Sequence, residues 1–479
     1  MMVAASDPPK GGQGNGEAII LFTKVPRPGL VKTRLIGHSG PPFPPEVAAL
    51  YTSLLEDTLV ALAEVNRARG TSLLVSFTPS DGEAELSGLV RSHFNDVRFI
   101  PQVGKSVTER VRNAFETVLQ YGYERVALIP GDHADLSGPL LEEAFARLEG
   151  PGPAVVLGPT YDGGAFLLGF NASSFGLVRF DLENTHLVCA DIFRRSKAQG
   201  IPTHFLDNRN DIDDWEDARH FLMQERMAHT KTWQALKKME IPSGAPGTKA
   251  LVSVIIPTLN EEAAIDGVLD SLAGQTSRDF DVTVADGVSS DRTVDKAWGR
   301  ADSIAFIRRA SRKGQENAAA ADARGDALLF LHADTVVPPT LVSSVIEALR
   351  SPDVSGGSFR VVFRGNGTRI RFLNALKLCG SRVLGIHGIS SGFFIRRSVF
   401  ERAGGFRESV MEEAVDLQRR VSPGTRFVFL DDLCTTSARR FDRKGRFTST
   451  LIVWLATVIL TYAGLHFTFI ERTLWKSVR

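Results

Sequence analysis

Residues 328–335 read Leu-Leu-Phe-Leu-His-Ala-Asp-Thr. Four apolar residues in a row predict a buried strand of a parallel sheet, covered on both faces. The run stops at His332 and Asp334, and Pro338 and Pro339 precede a helix-like segment. A carboxylate where a buried parallel strand ends lies at the edge where open α/β sheets bind their ligands. Upstream, residues 251–256 predict a first strand that runs into Pro257, Asn260 and Glu261, and residues 280–285 a second that runs into Asp286. A first strand, a second ending in an acid and a third ending in His-Ala-Asp is a nucleotide-binding order. Asp286 is expected to accept hydrogen bonds from a base or ribose. Asp334 is expected to hold a metal that bridges a diphosphate. His332 stands beside it.

Between these strands lies Arg312-Lys-Gly-Gln315-Glu-Asn, ahead of a helix expected over 318–324. Two readings stand for Arg312 and Gln315: phosphate contacts, or a polar surface. Downstream, residues 356–363 predict a strand, 369–384 a helix, and 387–395 a Gly- and Ser-rich loop entering another strand. Glu412 and Glu413 open a further helix. They offer a general base for an acceptor hydroxyl, or simply favour the positive helix end. Residues 427–431 form the last apolar strand, and Arg439 and Arg440 begin a basic cluster.

The chain has 479 residues, too many for one core, so two domains are expected. It is 43% hydrophobic and 23% charged, with a formal net charge of +1. That balance argues against an obligate nucleic-acid binder. Three widely spaced cysteines form neither a metal motif nor a disulfide framework, which fits a reducing, cytoplasmic compartment. Residues 1–16 read as a disordered tail without a secretory signal. Residues 450–470 carry no Asp, Glu, Lys or Arg. Three readings stand for them: a helix on a membrane surface or at an oligomer interface, a buried core helix, or a spanning helix.

The first half follows the same logic. Residues 18–23 predict a strand, followed by Lys24, Lys32 and Arg34 in a Gly- and Pro-containing loop that suits phosphate. Residues 46–65 and 106–120 predict helices, the second opened by a capping box of Ser106 and Glu109. A strand over 125–130 runs out into Asp132 and Asp135, candidate ligands for a hard cation. For Asp135 the alternative is a helix cap. Asp162 with Gly163 and Gly164 permits close backbone approach to a ligand. The acidic run from Asp207 to Asp214 reads as a solvated loop before a helix over 217–232. Residues 237–250 are the clearest linker.

Residues 251 to about 445 resemble family 2 glycosyltransferases of the GT-A fold. The resemblance rests on Val-Ser-Val-Ile-Ile-Pro-Thr-Leu-Asn-Glu-Glu, Val-Ala-Asp-Gly-Val-Ser-Ser-Asp-Arg-Thr, Leu-Phe-Leu-His-Ala-Asp-Thr and Gly-Phe-Phe-Ile-Arg-Arg with Ala-Gly-Gly-Phe. His-Ala-Asp in place of Asp-x-Asp is similar to the subgroup named for arsenosugar biosynthesis. The resemblance implies that Glu261 and Asp286 contact the nucleotide and that Asp334 coordinates Mg2+ or Mn2+ with the diphosphate. It implies that Arg439 and Arg440 contact the diphosphate, and that the catalytic base lies at Glu412 and Glu413, where the family has Glu-Asp. Residues 17 to about 225 resemble the DUF2064 group, related in fold to nucleotidyltransferases. The matching pieces are Phe-Thr-Lys24, Pro-Gly-Leu-Val-Lys32-Thr-Arg34-Leu and Asp162-Gly163-Gly with Leu-Leu-Gly.

The expected architecture is two Rossmann-like GT-A domains with mostly parallel sheets: 17–232, a linker at 233–250, 251–446, and an apolar helix over 447–479. The expected activity is sugar transfer from a nucleotide-sugar donor, a nucleoside diphosphate sugar, to a small or lipid-like acceptor, inverting and metal-dependent. The competitors are nucleotidyl transfer by the first domain and a non-catalytic nucleotide-sugar-binding scaffold. The expected place is the cytoplasm, including the cytoplasmic face of a membrane.

Overall fold

The computed structural model describes residues 16–37, 42–161, 163–177, 182, 188–209, 211–239, 252–308, 311–365, 367–383, 392–408, 413–421 and 425–438. The chain divides into two compact units, Met1–Gly247 and Thr248–Arg479. Both are α/β. The first sheet contains β1 (Glu17–Lys24), β2 (Ser72–Thr78), β3 (Val97–Pro101), β4 (Arg125–Pro130), β5 (Val155–Pro159), β6 (Ala165–Asn171) and β7 (Thr203–Phe205). Its order is β3-β2-β1-β4-β6-β5-β7. The second contains β8 (Val252–Thr258), β9 (Phe280–Asp286), β10 (Ser303–Phe306), β11 (Ala327–Phe330), β12 (Val354–Phe363), β13 (Phe393–Arg396) and β14 (Arg426–Thr436). Its order, β10-β9-β8-β11-β13-β12-β14, repeats the first.

The sheets are mostly parallel, as the continuous apolar runs demand. β8 is buried along its whole length, and so are the four residues of β11. The exceptions are β6, antiparallel to β4 and β5, and β13, antiparallel to β11 and β12. In each unit the chain lays two strands to one side of the first and then returns to its other side. The resulting switch point, between β1 and β4 and again between β8 and β11, separates the strand ends where a ligand can enter.

In the first unit Ile19, Leu21, Phe77, Ile129, Phe145 and Phe166 join one buried cluster on the sheet. The helix Pro44–Arg69 begins with proline at its first positions and ends at Gly70, whose φ of 70° suits glycine. Asp57 on that helix accepts hydrogen bonds from the backbone N–H of Lys231 and Thr232, at 2.9 and 2.8 Å. Those are the orphan donors of the helix Lys231–Lys238. Residues 233–238, expected in the linker, are therefore helix anchored to the first unit.

Other local expectations change for similar reasons. The helix expected over 217–232 is broken into Trp215–Met223, a 3-10 turn at Glu225–Met227, and the anchored helix. Ser106 caps its helix through Glu109 N–H, but the Glu109 carboxylate turns to Lys105 N–H and leaves the box half made. The segment from Arg312 is itself helix, Arg312–Ala321, because Ser311 accepts from Gly314 N–H and starts it early. Arg312, Gln315 and Glu316 thereby share one helical face.

Candidate functional site

The ends of β8, β9 and β11 supply the second unit's site. Asp286 is fully buried at the end of β9. Its carboxylate accepts from Ser289 N–H and Ser289 Oγ, both at 2.6 Å, and from Thr258 Oγ1 at 2.8 Å. Burial pushes its pKa up, and the Ser289 and Thr258 donors pull against that shift. The turn it holds places Val288 at φ 65°, an unusual angle for a β-branched residue. Asn260, at φ 56°, crosses to the same turn: its Oδ1 accepts from Ser290 N–H at 2.8 Å. Glu261 N–H donates to Thr293 Oγ1 at 2.7 Å. Pro257, one residue earlier than Thr258, is buried. Gln315 Nε2 donates to the Thr258 carbonyl at 2.9 Å, and a Cβ on Gly287 would collide with that amide. The loops after β8 and β9 are thus tied to each other and to the helix Arg312–Ala321.

Arg312 reaches the other side of the switch point. Its guanidinium meets His332 Nε2 at 2.8 Å and forms an ion pair with Glu413 Oε1. Glu413 is the first residue of the helix Glu413–Val421, and its side chain is 13% exposed. Asp334 Oδ1 accepts from Thr436 Oγ1 at 3.0 Å, and Arg364 holds the Asp334 carbonyl at 2.9 Å. Thr436 ends β14. A single side-chain carboxylate suits a hard cation whose other ligands are phosphate oxygens and water. Among the described residues, no group of three or more His, Cys, Asp or Glu is placed to hold a metal without them.

The first unit has a cleft of about 310 Å³ at the ends of β1, β2 and β4. Lys24, Lys32, Arg34, Arg110, Asp132 and Asp213 line it, with Tyr51 and Gln102. Gln102 Nε2 donates to the Thr23 and Ser76 carbonyls, at 3.2 and 3.1 Å. Tyr51 Oη lies 3.0 Å from Thr23 Oγ1 and accepts from Lys24 N–H at 3.2 Å; burial pushes its pKa up to about 12. Lys32, at φ 41°, turns its buried ammonium between Asp132 and Asp213, at 2.8 and 2.7 Å. Asp132, a metal-ligand candidate by sequence, is thus ion-paired to Lys32. Arg209 Nε stands 3.8 Å from Asp135 Oδ2. Arg34 is largely exposed and faces Asp213 at 3.6 Å. Gly163, at φ 88°, turns the chain between β5 and β6.

Residues 253–406 match the model described as glycosyl transferase family 2. Residues 61–184 match the model described as an uncharacterized protein conserved in bacteria, DUF2064. A family 2 glycosyltransferase domain follows a DUF2064 domain in this chain. YdaM of Bacillus subtilis is 28% identical over 228 residues, 42% of this chain and 53% of that protein. The dolichol-phosphate mannosyltransferase of Pyrococcus furiosus is 32% identical over 173 residues, 31% of this chain and 47% of that one. The chain thus spans about half the length of these curated relatives. Among solved structures, the mannosyltransferase PcManGT of Pyrobaculum calidifontis, in complex with GDP-Man and Mn2+, is 21% identical, with a TM-score of 0.35. That match covers 52% of this chain and 72% of that one.

In the glycosyltransferase domain the structure brings Arg312, His332 and Glu413 together, and separately Thr258, Asp286, Ser289 and Gln315. Asp334 lies two residues from His332 but takes its partners from β14 and Arg364. Glu412, Arg439 and Arg440 lie outside the described residues, as do Asp162 of the DUF2064 domain, residues 387–391 and residues 450–470. Among the described residues no helix is long and apolar enough to cross a membrane. Sequence reasoning missed Thr258 and Thr436, whose hydroxyls bond the acids, and Asp213, read as part of a solvated loop. No spacing rule links Asp213 to Lys32, which is 181 positions away.

The ion pairs that the buried Lys32 makes with two partly exposed acids carry a stability prediction. Burial alone would lower the Lys32 pKa, but Asp132 and Asp213 raise it above the ordinary lysine range. Burial alone would raise Asp132, but Lys32 outweighs it and holds Asp132 at about 2. A depressed carboxylate stabilises the fold above its ordinary pKa, so this contribution is present above about pH 4 and is lost as pH falls toward 2. Lys32→Met is expected to cost about 2–3 kcal/mol at pH 7, measured by denaturant unfolding. Asp213, 39% exposed, keeps the loss below that of a fully buried pair.

Proposed function

We propose that the glycosyltransferase domain moves a sugar from a nucleoside diphosphate sugar to a small or lipid-like acceptor, with inversion at the anomeric carbon. The observation that carries this reading is the bridge of Arg312 between His332, beside the metal candidate Asp334, and Glu413. It sets a basic side chain and a carboxylate at the strand ends where the switch point admits a ligand. The acceptor oxygen attacks the anomeric carbon as its proton passes to Glu413, while the bond from that carbon to the diphosphate oxygen breaks. Arg312 then stabilises the charge left on the diphosphate. A divalent cation, Mg2+ or Mn2+, would be held by Asp334 and would supply further screening of that charge. Asp286, Asn260 and Glu261 form the turn against which the nucleoside rests.

A second reading concerns the DUF2064 domain. Its cleft, with Lys24, Arg34 and Arg110 around a neutralised Lys32, favours a phosphate-bearing ligand and hence nucleotidyl transfer that makes the activated sugar. Titration of the whole protein with nucleoside diphosphate sugars and nucleoside triphosphates, with and without Mn2+ or Mg2+, separates the two. Metal-dependent binding of a diphosphate sugar, followed by release of the nucleoside diphosphate, supports the transferase. Triphosphate binding alone, with pyrophosphate released on adding a sugar phosphate, makes nucleotidyl transfer the main activity.

A further inference from the structure

Two carboxyl groups share one guanidinium beside His332. Arg312 gives its ion pair to Glu413. Glu316, one turn along the same helix, is 3% exposed, and its Oε1 lies 3.8 Å from Arg312 Nε, beyond hydrogen-bond reach. Among the described residues the Oε2 atoms of Glu316 and of Glu413 are both buried without a hydrogen-bond donor. A buried carboxylate with no donor is costly, and a second one beside it costs more. Of the other charges around Glu316, Lys313 favours its carboxylate, but less than burial disfavours it. Lys313 on the same helix reaches the Glu408 carbonyl at 3.4 Å. Of the neighbouring strands, β9 contributes Asp281 at its start and Asp286 at its end, and Asp286 is bonded to Thr258 and Ser289.

We propose that Glu316 is a positioning residue for the transfer: its carboxyl enters the site neutral, leaves Arg312 to Glu413, and so keeps Glu413 aimed. The inference rests on the transferase reading of this domain. Electrostatics point the same way. Burial pushes Glu316 up to about 8, against the pull of Arg312 and with the push of Glu413. Near neutral pH Glu316 then adds no negative charge beside Arg312. Once Glu316 ionises, the site carries a second negative charge that competes for Arg312 and repels an incoming diphosphate.

The test compares the wild-type protein with Glu316→Gln, which keeps the shape and neutrality of the acid. Donor kcat/KM of the wild type is expected to fall as pH rises past about 8. In E316Q it should match the wild type within about twofold at pH 7 and lose that fall. Thermal unfolding gives a readout that needs no substrate. A raised acid pKa destabilises the fold progressively from its ordinary value up to its folded value. E316Q should therefore unfold at the wild-type temperature near pH 5 and at a higher one by pH 8, with the gap level above that. If transfer occurs and E316Q leaves both the pH profile and the unfolding gap unchanged, the proposal is overturned. A merely structural role would lower activity at every pH without moving the profile, and this too overturns it. If no diphosphate sugar is turned over but the gap opens as described, Glu316 holds its proton while the transferase reading, and the positioning role with it, fails.

Discussion

Replacing Asp334 by alanine is expected to lower donor kcat/KM by several kcal/mol of transition-state stabilisation, on the order of 10²–10³-fold. The same change should abolish the metal dependence of donor binding in calorimetry. The size follows from the chemistry of the leaving group. A departing nucleoside diphosphate gains negative charge as the glycosidic bond breaks, and Asp334 is the side-chain carboxylate at the end of β11 that the described residues offer to a cation. The fold should survive the change. Asp334 Oδ1 loses a single hydrogen bond from Thr436, and the backbone contact from Arg364 remains. Unfolding is expected to shift by about 1 kcal/mol. Transfer that persists at wild-type rate in Asp334→Ala, with unchanged response to Mn2+, would remove Asp334 from the mechanism.

Replacing Glu413 by glutamine is expected to act on the other half of the reaction. An amide cannot take the acceptor's proton, so kcat should drop on the order of 10²–10⁴-fold. Donor affinity should change little, because the glutamine carbonyl can still accept from Arg312. This split distinguishes a base from a binding residue: the loss appears in turnover and not in the calorimetric constant for the donor. Equal loss in both would make Glu413 an anchor for Arg312 rather than the base. The resemblance implies Asp at the position of Glu413, and a side chain one methylene shorter would draw the carboxylate back from Arg312. Glu413→Asp is therefore the control in which the base is kept and the ion pair is lengthened.

Much of the architecture was legible because it is written locally. Apolar runs such as 252–258 and 327–330 declare buried parallel strands, and an acid just past such a run marks the ligand edge. Hence Asp286, Asp334 and Asp132 could be picked out from their neighbours alone. Helix starts were less legible. Ser311 begins the helix Arg312–Ala321 six residues before the expected start, since a capping hydroxyl wins over a polar composition that suggests a loop. That shift of a turn and a half is what aligns Arg312, Gln315 and Glu316 on one face.

The sequence by itself determined two α/β units, the strands that build them and the acids at their ends, because periodicity and burial act over a few neighbouring residues. Only the tertiary structure decided which charges meet. Arg312 finds Glu413 across 101 positions, and Lys32 finds Asp213 across 181. The physical reason is that an ion pair depends on where the chain returns. The switch point between the first and fourth strands of each sheet brings distant loops side by side, and no local pattern of residues encodes that return.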